Sequence, residues 1–159
     1  MEISTKQSKF MKKAIRLAEA SVAKGGGPFG AVIVKDGVMI AQGHNCVTLH
    51  NDPTAHAEVT VIRKACKKIG SFDLSGCEIY TSCEPCPMCL AAIYWARIGK
   101  IYYGCTKDDA KDIGFDDSFI YDQIDLKPEE RAISTIHLMH KEALSAFRLW
   151  DENENKINY

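Results

Sequence analysis

Two short segments hold residue types that bind metal and move protons: His56-Ala57-Glu58 and Pro85-Cys86-Pro87-Met88-Cys89. Each opens a predicted helix directly after a loop or a strand end. Cys86 and Cys89 are three apart on a first helical turn, so their sulfurs share a face. The positive end of that helix favours thiolate over thiol, the form that binds metal. Pro87 suits the first turn, where a missing N–H costs little. His56 offers a third ligand from the other helix. Three such ligands and one open position are the coordination expected of catalytic zinc. Glu58 needs a separate task, because residues two apart point to nearly opposite sides of a helix. It converges with His56 only on something lying off the helix end, beside the metal rather than bound to it. Zinc lowers the pKa of a bound water to about 7, and a neighbouring carboxylate can take and return the proton.

Other chemistries use parts of this pattern. A thioredoxin-like redox pair needs its C-x-x-C after the first strand of a βαβ unit and no histidine partner. Cys83 extends the run to C-x-x-C-x-x-C, but an iron–sulfur site needs a fourth cysteine soon after, and Leu90 to Ile93 supplies none. A closed Cys₃His zinc site using Cys83, a structural module acting as a binding scaffold, stands as the non-enzyme alternative. It leaves Glu58 with no task, so zinc hydrolysis ranks first. The seven cysteines are an odd number, and three of them crowd into residues 83–89. That crowding, with no secretory signal in view, points to metal or catalysis rather than disulfides.

Hydrophobic periodicity supplies the elements that must position these residues. Residues 8–23 place Met11, Ala14, Ile15, Ala18 and Val22 at helical spacing, with Leu17 beside them, and Gly25-Gly26-Gly27-Pro28 stops the helix. Strands are predicted from Phe29 to Val34 and Val38 to Gly43 around an Asp36-Gly37 hairpin turn. Asn51-Asp52-Pro53-Thr54 leads into a helix from about His56 to Ile69. A strand from Cys77 to Ser82, a helix from Pro87 to Arg97 and a strand from Lys100 to Gly104 follow. A short helix near Lys107 to Asp112, a last strand at 132–139 and a helix from Glu142 to Asp151 complete the chain. This order predicts an α/β fold, a three-layer α/β/α sandwich around a mixed five-stranded sheet.

The composition excludes several classes. With 159 residues and 46% hydrophobic against 26% charged, the chain suits one globular domain and not a disordered one. No apolar stretch approaches the roughly 18 residues of a membrane span. The first thirteen residues carry five charged groups, so a cytoplasmic address is expected. The 20 basic and 21 acidic residues leave no electrostatic footprint for nucleic acid.

The combination H-x-E with P-C-x-x-C resembles the zinc nucleobase deaminases of the cytidine-deaminase-like superfamily. Pro28-Phe29-Gly30-Ala31, Asn51 to Glu58 and Thr81 to Cys89 match it. The resemblance implies one zinc per subunit on His56, Cys86 and Cys89, with Glu58 as proton shuttle. These motifs are shared by deaminases of cytosine, transfer-RNA adenosine and guanine. Gly114-Phe115-Asp116-Asp117-Ser118-Phe119 and Tyr94-Trp95-Ala96-Arg97 resemble the bacterial guanine deaminases more closely. That likeness implies guanine as substrate, xanthine and ammonia as products, and a homodimer. It also implies that a C-terminal segment of about 140–159, ending in Tyr159, is exchanged to close the partner's site. Asp117, with Asp116 beside it, would accept from guanine N–H donors. Asn45 both donates and accepts, which suits a purine edge. Phe29 and Trp95 would hold the flat ring, and Tyr159 would act as a lid. Each has an ordinary alternative: a turn, core packing or a frayed tail. Transfer-RNA adenosine and free cytosine or a triazine remain alternative substrates. Against the first, the net charge is −1 and acidic stretches run from Asp108 to Asp117 and Asp151 to Glu154.

Overall fold

A computed structural model describes residues 4–159 and divides them into two compact units, one ending at Asp117 and the other spanning Ser118–Tyr159. The first begins with α1 (Thr5–Val22), which a capping box starts: Ser4 Oγ accepts from the Gln7 N–H, and Gln7 Oε1 accepts from the Ser4 N–H. Strands β1 (Gly30–Lys35) and β2 (Val38–His44) follow as an antiparallel hairpin. Its two-residue turn holds Asp36 at φ 51° and Gly37 at φ 74°, the left-handed pair a tight hairpin requires. A single turn, α2 (Val47–His50), precedes α3 (Ala57–Ile69). Then come β3 (Cys77–Cys83), α4 (Pro87–Trp95), β4 (Lys100–Cys105) and α5 (Lys107–Asp112).

The sheet runs β2-β1-β3-β4, with β1 antiparallel to both neighbours and β3 parallel to β4. Alternation along β1 splits the core in two. Val32 and Val34 meet Tyr80 and Phe10 under α1, while Ala31 and Ile33 meet Ile79, Val61, Ala65 and Ile93 under α3 and α4. The result is an α/β/α sandwich whose α3 and α4 lie on one face. That face carries both motifs.

The sheet has four strands, not the five expected. The missing strand is 132–139, which forms no ladder among the described residues. Its alternation of apolar and polar residues is real, but a strand exists only where its N–H and C=O groups find a neighbouring strand. Here the Ala132 N–H goes instead to Gln123 Oε1 at 2.6 Å. The second unit is helical: α6 (Ser118–Asp125), a 3₁₀ turn over Pro128–Glu130, and α7 (His140–Glu152). Neither α6 nor α2 was foreseen, because both are too short for a periodic signal.

The buried stripe of α1 also differs from the expected one. Phe10, Ala14, Ala18 and Ser21 face the sheet, whereas Ile15 and Val22 are exposed along an apolar groove of about 280 Å³ shared with Phe29, Cys83 and Ile113. Small residues face inward because α1 lies almost on the backbone of β1. A Cβ at Gly30 would collide with the Ala14 carbonyl oxygen and come within 2.5 Å of the Ala18 nitrogen. Gly30→Ala is therefore expected to cost about 1–3 kcal/mol, the range for overpacking against rigid backbone. Urea unfolding checks this; unchanged stability would show that α1 slides freely on the sheet.

Candidate active site

The two chemical motifs occupy the same structural position in two helices. His56 is the N-cap of α3 and Cys86 the N-cap of α4, both with extended backbone and neither spending its side chain on the cap. Pro87 stands at the start of α4, where its missing N–H leaves no helical bond unmade. Each N-cap side chain is thus free to reach beyond its helix end. Glu58 follows on the first turn of α3 and Cys89 on the first turn of α4, and both are buried. Cys86 Sγ and Cys89 Sγ each lie 3.5 Å from His56 Nδ1. These three ligand atoms all fall within 4.8 Å of one another. Cys89 Sγ is also 3.4 Å from Glu58 Oε2.

The donor set fits zinc. A tetrahedral ion with the usual Zn–S and Zn–N lengths places sulfur and nitrogen about 3.6 Å apart along each edge, close to the spacing found. The three groups also act on one another electrostatically. The neighbouring Cys89 thiol, and then the His56 imidazole, hold the Cys86 thiol well below its usual range. The Cys86 sulfur beside it, with burial, pushes Cys89 far up, and the bond between His56 and Cys86 raises the imidazole. Burial raises the Glu58 carboxyl. Cys83 stands apart from this group. Its Sγ donates to the Thr106 carbonyl at 3.4 Å, and it is not among the clustered ligands of the described residues.

Residues 4–105 match the zinc-binding region of cytidine and deoxycytidylate deaminases. The chain belongs to that family of zinc-dependent deaminases. A guanine deaminase of Bacillus subtilis strain 168 is 57% identical over 151 residues, covering 94% of this chain and 97% of that protein. The X-ray structure of guanine deaminase from Bacillus subtilis superposes with a TM-score of 0.93 at 56% identity, covering 96% of this chain and 98% of the other. A transfer-RNA-specific adenosine deaminase of Aquifex aeolicus is 45% identical over 94 residues, 59% of this chain and 62% of its own length. The α/β cytidine-deaminase-like architecture expected of this deaminase family is thus present, with the four-stranded sheet described above.

The remaining candidates are placed unequally. Asn45 is buried beside Phe29, whose carbonyl accepts the Asn45 N–H at 2.9 Å. Its Oδ1 accepts from the N–H groups of Val47 and Gly27 at 3.2 and 3.4 Å. With the oxygen committed to backbone, the amide NH₂ is the group this deaminase can offer a ligand. Phe29 packs on the core and meets the edge of Phe115 at 5.0 Å between ring centres. The neighbouring aspartates differ. Asp116 is exposed and paired with Lys111 at 3.2 Å, while burial, and then the Cys86 charge, raise the carboxyl of Asp117. Trp95 sits at the far end of α4 from Cys86, about 13 Å along the axis, and is 67% exposed. Within one chain it is not brought to the ligands. Tyr159 lies in the second unit, its ring 6.4 Å from that of Trp150.

One residue of this region was missed in the sequence. Thr81 is buried on β3 with its hydroxyl 3.2 Å from Glu58 Oε1. The signal was a hydroxyl in β3 on the face where its other residues, Cys77, Ile79 and Cys83, are apolar.

Proposed function

We propose that this protein hydrolyses guanine to xanthine and ammonia, working as a single deaminase domain of the whole chain. The observation that carries the reading is the 57% identity to a guanine deaminase over 151 residues, a span that must include Asp117. The likeness to a transfer-RNA adenosine deaminase reaches 59% of the chain.

His56, Cys86 and Cys89 would hold the zinc, which when bound supplies an acidified water and a positive charge for the oxygen that develops negative charge. The other roles belong to side chains of this chain. Glu58 takes a proton from the attacking water at Oε2 and returns it to the ring nitrogen beside C2, N3 of guanine. The water oxygen bonds to C2, the bond from C2 to the exocyclic nitrogen breaks, and a second proton passed by Glu58 lets that nitrogen leave as ammonia. Asp117, drawn inward while Asp116 is held by Lys111, accepts from guanine N–H groups. Asn45 donates through its NH₂ to an acceptor on the purine edge. Phe29 offers a ring face beside them.

Tyr159 enters the site in this reading from a second copy, while Trp95 is assigned no contact with the ring. The chain forms a homodimer in which a C-terminal segment of about 140–159 is exchanged and Tyr159 closes the partner's pocket. Large apolar side chains of the second unit support this, since Ile133, Ile136, Leu138, Phe147 and Leu149 are each at least 70% exposed. Free thiols at all seven cysteines agree with a reducing, cytoplasmic setting. No helix among the described residues is long and apolar enough to cross a membrane.

The test is ammonia release by zinc-loaded protein from guanine, cytosine, adenine, guanosine and an anticodon-stem RNA side by side. Turnover of guanine far above the others is expected. Turnover confined to the RNA would overturn the substrate, and silence throughout would overturn the deaminase. Light scattering on the same sample should read twice the 17.7 kDa of one chain; a monomer with full activity removes the exchange.

A further inference from the structure

Five polar side chains are buried among the described residues: Ser21, Asn45, Glu58, Thr81 and Ser82. Three of them tie backbone of neighbouring segments together. Ser21 Oγ donates to the Asn45 carbonyl at 3.1 Å, Asn45 gathers the N–H groups of Gly27 and Val47, and Ser82 Oγ accepts from the Gly30 N–H at 3.0 Å. Thr81 has a different partner. Its hydroxyl lies 3.2 Å from Glu58 Oε1 and 2.9 Å from the Cys83 carbonyl oxygen.

The position makes that hydroxyl unusual. Along β3 the residues Cys77, Ile79, Thr81 and Cys83 point to the face covered by α3 and α4, and Cys77 and Ile79 belong to the core there. Valine would fill the same volume at 81, suit a strand equally well and bring no polar atom to bury. A hydroxyl is worth its desolvation there only if its partners need it. One of those partners is the carboxylate that carries the reaction's proton.

We propose that Thr81 is a positioning residue for Glu58, anchoring Oε1 so that Oε2 faces the ligand sulfurs and the substrate. The proposal rests on the reading of Glu58 as the proton carrier of a guanine deaminase. The final torsion of a glutamate is broad and roughly two-fold, so its two oxygens exchange easily when nothing distinguishes them. A proton taken up on an oxygen turned into the core has no path to the substrate. The bond from Thr81 distinguishes the two: Oε1 is held at the strand, and Oε2 remains 3.4 Å from Cys89 Sγ on the ligand side. The hydroxyl has one hydrogen for two acceptors, and an ionised carboxylate, the form that takes the proton from water, is the stronger of them. The Cys83 carbonyl, at the head of the loop that leads to Cys86, is its alternative acceptor and keeps the threonine rotamer turned toward the site.

The experiment compares Thr81→Val and Thr81→Ser, each alone and with Glu58→Gln, by steady-state kinetics on guanine, zinc content and thermal unfolding. All variants are expected to bind one zinc. Thr81→Val should lower kcat about 10- to 100-fold, the usual effect of losing an outer-shell partner, with KM within about threefold of wild type. Thr81→Ser should restore kcat to within about threefold, and Thr81→Val should slow Glu58→Gln no further. A kcat loss in Thr81→Val below about tenfold, a serine variant as slow as the valine one, or a full additional loss on Glu58→Gln would overturn the assignment. If the valine variant does not fold, Thr81→Ala takes its place against Thr81→Ser with the same thresholds. Wild-type protein inert on guanine would refute the underlying function instead, a result separate from any of these.

Discussion

Replacing Glu58 with glutamine is expected to lower turnover of guanine by roughly 10³-fold, in the range lost with a general acid–base group, while one zinc stays bound. Glutamine has the size and shape of glutamate and still offers Oε1 to Thr81, so the packing around residue 58 has no reason to change. What it cannot do is take a proton at the position of Oε2. The carboxyl is buried, and burial raises it toward the neutral form, so a neutral isostere also removes the cost of burying a charge. Thermal stability should therefore hold or rise as activity collapses, and that pairing separates a lost proton carrier from a damaged fold. Ammonia release, metal analysis and a melting curve on the same preparation decide it. A glutamine variant within tenfold of wild type would remove Glu58 from the chemistry.

Removal of a ligand should act in the opposite order, on metal first. Cys86→Ala and His56→Ala are each expected to reduce bound zinc from about one per chain to near zero after mild chelation. Activity should vanish with it, and the unfolding temperature should fall. The cause is that three side chains from two helix ends would share the ion, and metal binding energy of this kind is folding energy. Losing Cys86 also takes away the sulfur 3.5 Å from His56 Nδ1, so two ligands remain where three stood. Cys83→Ala supplies the contrast. Its thiol turns to the Thr106 carbonyl and stands outside the clustered ligands, so zinc and turnover should persist. Zinc lost from Cys83→Ala as readily as from Cys86→Ala would replace the open site with a closed Cys₃His one.

The parts of this site readable without coordinates are those whose geometry is local. His56 and Glu58 two apart at a helix start, and Cys86 and Cys89 three apart with Pro87 between, have directions set by helix geometry alone. Only the structure shows that both motifs begin on N-caps, which is why His56 escapes the opposite-sides rule that separates it from Glu58. The hairpin at Asp36-Gly37 was legible for the same local reason, a backbone that needs positive φ twice in succession.

Contacts made between elements were not legible, whether near or far in sequence. Residues 132–139 carry a strand's alternation, yet pairing depends on a neighbouring edge that no local pattern specifies. The inward stripe of α1 is set by how closely Gly30 lets the helix approach, so Phe10 and Ser21 are buried while Ile15 and Val22 are not. Two backbone N–H groups, from Gly27 and Val47, orient the Asn45 amide; an ion pair to Lys111 distinguishes Asp116 from Asp117. Thr81 faces Glu58 across 23 positions of sequence. By itself, then, the sequence determined which atoms could hold zinc and carry a proton, because residue type and helical spacing decide that. Tertiary structure decided which oxygen, which amide end and which aspartate are tied to a neighbour, because each is selected by a partner from another element.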